Sequence, residues 1–486
     1  MDKKVLQQVL EAALSNGGDF ADVFVEYKRG TGIGLEAGRI ERVQSGYEAG
    51  AGIRVLSGEN TSYGYTNDLS KEGLIEAAKL VSHAARGGKK DYNLDLTKLQ
   101  PTVKFEFKKR PEEIATEQKV EVVKAAERAA RSVDDSKIKQ VIVGYGDSVQ
   151  QVVIANSNGD YVEDERVRTR LMVNAVAADG GTIQTGYDAV GSMCGFELFD
   201  RFDPEQIARH AAERAVKMLD AKPAPTGKMP CVMAGEAGGT MVHEACGHGL
   251  EADLVQRQLS VYAGQKDQQV ASELVTVIDD ATMPDQYGSY SFDDEGVASR
   301  PVELIKDGVL TDFLYDRLTA KKEGRQPNGH GRRQSYQEKP IPRMANTYVA
   351  AGKTDPEEII KDTKEGLLVK KMGGGQVNTT TGDFVFDVAE GYLISDGEIG
   401  PMVRGATLTG NGPEVLRIVD LVGSDLGFAI GTCGKDGQGV PVSDAQPTMR
   451  IPKIVVGGTG DPVSPNGEIK RLTAQDMPRD YKIRRL

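Results

Sequence analysis

The chain is short of the residues that mark a secreted, membrane-spanning or nucleic-acid-binding protein. Its 486 residues include four cysteines, five histidines and no tryptophan. Four scattered cysteines in a chain this long do not make a disulfide framework. No apolar run approaches the roughly 20 residues that cross a bilayer, so no membrane partner is expected. Lys and Arg total 60 against 72 Asp and Glu, a formal net charge of −12. Duplex binding rests on clustered basic side chains that neutralise phosphates, so this balance argues against a nucleic-acid partner. Met1 to Asn16 alternates Val5, Leu6, Val9, Leu10, Ala13 and Leu14 with charged and amide side chains. That pattern is an amphipathic helix rather than the apolar core of a signal peptide, and a cytoplasmic location is expected.

Glycine, by contrast, is plentiful, with 57 residues, which suggests many turns and hairpins. A chain of this length is expected to form two large domains or about three smaller ones. It can bury ample core, so a metal is not needed merely to fold it. Ala221-Lys222-Pro223-Ala224-Pro225-Thr226-Gly227 is the best linker. It places an α/β domain at 1–222, subdivided near 89–112, ahead of a β-rich domain at 228–486. In the first half, helical periodicity recurs at about 70–86, 113–132 and 204–219, and strand-like pieces lie at 22–27, 32–35, 40–43, 49–56, 61–65, 139–157 and 161–176. In the second half Asp307-Gly308 and Asp396-Gly397 read as hairpin turns, and Phe384, Phe386 and Val388 share one strand face. The predicted class is α+β, an α/β N-terminal domain followed by an antiparallel β-rich C-terminal domain that carries a metal-site helix.

The most informative segment is Met241-Val242-His243-Glu244-Ala245-Cys246-Gly247-His248-Gly249. Imidazole is a favoured zinc ligand, and a Glu beside one ligand can take a proton from metal-activated water. In the familiar His-Glu-x-x-His pattern, a spacing of i, i+4 sets both rings on one helical face. Here the spacing is i, i+5, which in an α-helix places the second ring roughly 140° away from the first. Either the helix bulges or it ends between the two histidines, and Gly247 and Gly249 supply the backbone freedom for that. A catalytic zinc needs a third protein ligand. Glu251 and Asp253, just after His248, are carboxylate candidates, and Cys433, in a polar glycine-rich turn, ranks close to Glu251 for that place. Cys246 is geometrically possible but reads better as core, as do Cys194 and Cys231.

The run His243-Glu244-Ala245-Cys246-Gly247-His248-Gly249-Leu250-Glu251 resembles the His-Glu-x-x-x-His signature of the TldD/PmbA metallopeptidases, of the TldD type. Further stretches support the resemblance: 292–296, 331–336 running into 342–348, 410–416, and Gly431-Thr432-Cys433-Gly434-Lys435-Asp436-Gly437. It implies zinc (Zn2+) held by His243, His248 and Cys433, Glu244 as general base, and a supporting role for Glu251. It also implies peptide or unfolded-protein substrates. The resemblance further implies a dimer, either a homodimer or a heterodimer with a sister subunit lacking the metal motif. The family has been called a modulator of DNA gyrase, but no DNA-binding face is visible here. The rival reading is a non-catalytic partner or regulatory subunit with a structural or vacant metal site. An intact Glu244 and the lack of an obvious fourth ligand favour the peptidase.

Other features divide between sharp and plain readings. Arg332, Arg333 and Arg343 are candidates for binding a peptide carboxylate or carbonyl, with ion pairs to the acidic run Asp293-Asp294-Glu295 as the alternative. That acidic run reads as hydrogen-bonding groups or a solvated turn rather than a second metal site. Gly373-Gly374-Gly375 lacks the Lys-Ser/Thr of a phosphate loop and reads as a bulge or a loop near the site. His83 and His210 read as surface or packing residues, and His330 as a polar loop residue.

Overall fold

Side-chain alternation along four long strands decides how the first half is built. In this computed structural model, which describes residues 1–85 and 94–462, Phe20–Glu36, Arg39–Ser57, Ile138–Asn156 and Asp160–Asp179 form adjacent antiparallel strands. Successive side chains of a strand point to opposite faces. Odd-numbered Val23, Val25, Ile33, Val143, Leu171 and Val173 pack under two helical pairs. Lys3–Ala13 and Lys71–His83 cover one end, and Thr116–Arg131 and Pro204–Leu219 cover the other. Even-numbered Phe24, Val152, Ile154 and Val162 pack instead against Phe292 and Tyr336 of the second half.

The helices start where local chemistry favours it. Asp2, Ser70 and Asp203 accept backbone N–H bonds at the first turns, and Pro204 opens the last helix. The short glycine-punctuated strands expected from the sequence are fused: the pieces at 22–27 and 32–35 belong to the single strand Phe20–Glu36. Its ladders to both neighbours run unbroken across Gly30 and Gly32, so those glycines do not act as breaks. The stretch at 89–112 expected to divide this half lies partly outside the described residues, and within its described part Thr97–Lys98 joins the sheet edge in parallel.

The second half holds a six-stranded and an eight-stranded sheet sharing one large apolar core. Both expected hairpins form, between Pro301–Lys306 and Val309–Leu310 and between Asp383–Ser395 and Glu398–Arg404. Pairing is mainly antiparallel, with parallel contacts between Asn346–Val349 and Gln438–Gln446 and between Gly227–Met233 and Glu365–Val377. The protein is α+β, with 44% of residues in strands and 22% in helices, so sheet edges rather than helix bundles frame its clefts. Gly373–Gly375 sits in Glu365–Val377 where pairing register slips, which is the bulge expected. Among the described residues no helix is long and apolar enough to cross a membrane.

Candidate metal centre

The strand Gly227–Met233 leads into one helical turn, Thr240–Val242, which widens at once into a π turn, His243–Gly247. The His248 N–H donates to the His243 carbonyl, five residues back. The extra residue in that turn absorbs the excess angle of an i, i+5 pair. The two rings therefore meet, with centroids 5.0 Å apart and planes at 88°. Tyr262 Oη donates to the Ala245 carbonyl at 3.1 Å and holds the bulge from outside. Gly247 serves differently from the sequence expectation. Its φ of −52° is ordinary helix, and what it supplies is space, since a Cβ there would collide with Met344 Sδ.

Cys433 arrives on Gly427–Lys435, which pairs antiparallel with Gln438–Gln446. Its Sγ lies 3.4 Å from His248 Nε2. Donor atoms of His243, His248 and Cys433 all fall within 4.8 Å of one another. Burial raises the Cys433 thiol, but hydrogen bonds to the two imidazoles outweigh it and bring the group to about 5, in thiolate territory. Two imidazoles and a thiolate are a donor set that suits zinc. Their donor atoms already lie at mutual distances that one ion can span, so the residues present fit a cation. Cys246 stays out of the cluster: its Sγ donates to the Val242 carbonyl at 3.2 Å, and burial pushes its thiol up to about 12.

Glu251, the rival third ligand, lies behind His248 instead. Its Oε2 is 3.1 Å from His248 Nδ1, and Lys435 Nζ reaches the same oxygen at 3.1 Å. Burial opposes ionisation of Glu251, but Lys435, His248 and Arg343 outweigh it and hold the carboxyl at about 2. Asp444 was not legible as part of the site. It reaches His243 from Gln438–Gln446, with Oδ2 3.9 Å from Nδ1, while its Oδ1 accepts from the Gly239 N–H at 3.1 Å. Only the fold brings it there, since 201 positions of sequence separate it from His243 and its local pattern is that of any strand residue.

A cavity of about 560 Å³ opens on the cluster. Half-buried Glu244 lines it with the two histidines, Ile430–Lys435 and the opposed Gln376 and Val377. The three candidate arginines are all buried. Arg343 Nη2 donates to the Cys433 carbonyl at 2.6 Å and Nη1 to the Gln438 carbonyl at 3.2 Å, which holds the hairpin that carries the thiol. Arg332 donates to the carbonyls of Met344 and Pro441, and Arg333 to that of Asp294. The acidic run is buried, so it is no solvated turn, and its carboxylates are engaged by neighbouring groups. Glu295 pairs with Arg54 at 2.7 Å and Asp294 with Arg166 at 2.6 Å, while Asp293 accepts from the Gly331 N–H at 3.0 Å. His83 and His210 are exposed. His330 lies in a loop as expected but is wholly buried there, with Nε2 2.9 Å from Asp279 Oδ1.

A strand-framed cleft thus brings together a His, His, Cys cluster able to hold a metal ion and an adjacent Glu, the donor set expected of a metallopeptidase. Comparison with known proteins agrees. Family models match residues 21–85 (PmbA/TldA metallopeptidase domain 1), 109–219 (central domain) and 226–458 (C-terminal domain). A Methanothermobacter thermautotrophicus metalloprotease is 38% identical, covering 91% of this chain and 96% of its own. The Haemophilus influenzae metalloprotease TldD homolog is 35% identical, covering 91% and 93%. A Saccharolobus solfataricus zinc metalloprotease TldD homolog is 27% identical, covering 91% and 97%. The chain belongs to the PmbA/TldD metallopeptidase family. TldE from Thermococcus kodakarensis has the same fold, with a TM-score of 0.74 at 19% identity over 93% of this chain and 100% of its own.

Proposed function

We propose that this chain is a zinc-dependent peptidase acting on small or unfolded peptides, with Glu244 as general base. The observation that carries the reading is the three-donor cluster of His243, His248 and Cys433 opening on a cavity whose wall includes Glu244. Three protein ligands leave one tetrahedral position for water or substrate, which is the arrangement of catalytic rather than structural zinc. A bound zinc ion would supply Lewis-acid polarisation of the scissile carbonyl and bring the pKa of a coordinated water to about 7. Glu244 takes the proton of the attacking water on its carboxylate and hands it to the leaving amine. Cys433 donates more charge than a third imidazole would, which favours a slow or restricted peptidase.

The strand Gly427–Lys435 is the last in its sheet, and its Ile430–Lys435 portion borders the cavity. An extended peptide that adds to this edge would lie along the site, held by backbone hydrogen bonds. Family membership is the ground for expecting a dimer, with itself or with a sister subunit lacking the metal motif. The test is hydrolysis of unstructured peptides by zinc-loaded protein and its Glu244→Ala variant. The variant should keep its fold and zinc and lose kcat far more than apparent affinity. Wild-type rates in Glu244→Ala would refute the base. Absence of hydrolysis by the loaded wild type, alone and with its sister subunit, would refute the peptidase.

A further inference from the structure

The even-numbered face of the N-terminal sheet meets the second half across another cavity, of about 480 Å³. Seven Lys or Arg side chains line it against two Asp. Both carboxylates are already engaged: Asp294 pairs with Arg166, and Asp147 with Lys119, each at 2.6 Å. Strand alternation puts Arg166, Arg168 and Arg170 in a row along one wall, roughly 7 Å apart. Arg332 and Arg333 face them from the second half.

These cations are short of counter-charge. Arg168 is buried and donates from Nε to the Tyr287 carbonyl at 2.8 Å and from Nη2 to the Ser289 carbonyl at 2.7 Å. Its Nη1 has no acceptor among the described residues. Neither Arg168 nor Arg332 has a carboxylate within ion-pair reach among the described residues, and Arg333 Nε is buried without a partner. Burial, then the like charges of Arg166 and Arg332, push Arg168 down to about 9. Leaving cations buried without an anion is costly, and an oxyanion in the cavity would relieve that cost through charge-assisted, bidentate hydrogen bonds. The cavity also adjoins the metal centre. Thr432 borders both cavities, and the next residue is Cys433, whose side chain lies on the opposite face of the strand.

We propose that this cavity is an anion subsite in which Arg168, Arg170 and Arg332 bind a carboxylate of the peptide, so that acidic peptides are preferred. The assignment of the ligand as a peptide rests on the peptidase reading above; the cationic cavity itself does not. The test is fluorescence anisotropy of a labelled glutamate-containing peptide and its glutamine isostere, at low salt, on zinc-loaded full-length Glu244→Ala protein. The acidic peptide should bind about tenfold more tightly. Arg168→Gln should remove that advantage. So should Arg170→Glu, whose exposed position spares the fold, with binding of the isostere unchanged in either variant. Equal binding of the two peptides, or an advantage kept in both variants, overturns the subsite. Displacement by inorganic phosphate at a hundredth of the effective acetate concentration overturns the carboxylate in favour of a phosphate ligand. Hydrolysis is read separately on the wild type. Cleavage without discrimination refutes the subsite alone, and discrimination without any cleavage refutes the peptidase alone.

Discussion

Glu251 holds His248 by the ring nitrogen that Cys433 does not reach: Oε2 is 3.1 Å from Nδ1 on one side, and Sγ is 3.4 Å from Nε2 on the other. A carboxylate on the far nitrogen fixes the tautomer and orientation of a metal-binding imidazole and raises its basicity. Glu251→Gln keeps the shape and removes the charge. Zinc affinity, measured by competition with a chromophoric chelator, should fall about 10- to 100-fold. Unchanged affinity would mean that Glu251 serves only Lys435 and the hairpin.

The ligand assignment makes a sharper forecast. Wild-type protein should hold one zinc per chain, lost or strongly weakened in His243→Ala, His248→Ala and Cys433→Ala. Cys246→Ala should keep it, because that sulfur faces the Val242 carbonyl inside the helix. Elemental analysis of freshly purified variants decides the matter. Full stoichiometry and affinity in Cys433→Ala would remove the thiolate from the site.

The histidine pair was legible because its spacing breaks helical geometry, and an i, i+5 pair can share an ion only if the turn widens. The sequence did not say which remedy would apply, and it offered backbone freedom as the role of Gly247 where the constraint is the sulfur of Met344, distant in sequence. On the residues alone Cys433 and Glu251 rank together and only the family resemblance separates them, because the fold of hairpin Gly427–Lys435 over the helix has no local signature. The strand Thr182–Ser192 went unread for a related reason. Its Thr-Ile-Gln-Thr-Gly-Tyr run is polar and glycine-broken, and it becomes a strand because Asp160–Asp179 offers a free edge. Buried ionic groups such as Arg54 with Asp22 and Glu295 were equally hidden, since their charges read as surface until both halves meet.

Substrate choice follows from the edge strand at the cavity. An extended chain can offer its backbone donors and acceptors to Gly427–Lys435, whereas a folded domain has paired them internally. One substrate protein in native and destabilised forms isolates this variable, because only the open population changes. The destabilised form should be cleaved faster in proportion to that population. Equal rates would point to an open surface site that acts on exposed loops.

Asp316 supplies a test of the joint between the two halves. It is buried, caps Arg317–Lys322 by accepting from the Thr319 N–H at 2.8 Å, and sits near Glu295 and Arg54. Burial, then the charge of Glu295, raises its carboxyl from the usual 3.8 to about 7. The native state therefore binds this proton more tightly than the unfolded chain does. The associated stability is fully present below about pH 4 and is lost as pH rises through 7. Asp316→Asn is neutral at every pH and retains a side-chain oxygen for the cap. The variant should gain on wild type between pH 4 and pH 8, by on the order of 4 kcal/mol at the upper end. Denaturant unfolding at both pH values measures the difference directly. A constant gap between variant and wild type would show that Asp316 is ionised throughout, with Arg54 outweighing both burial and Glu295.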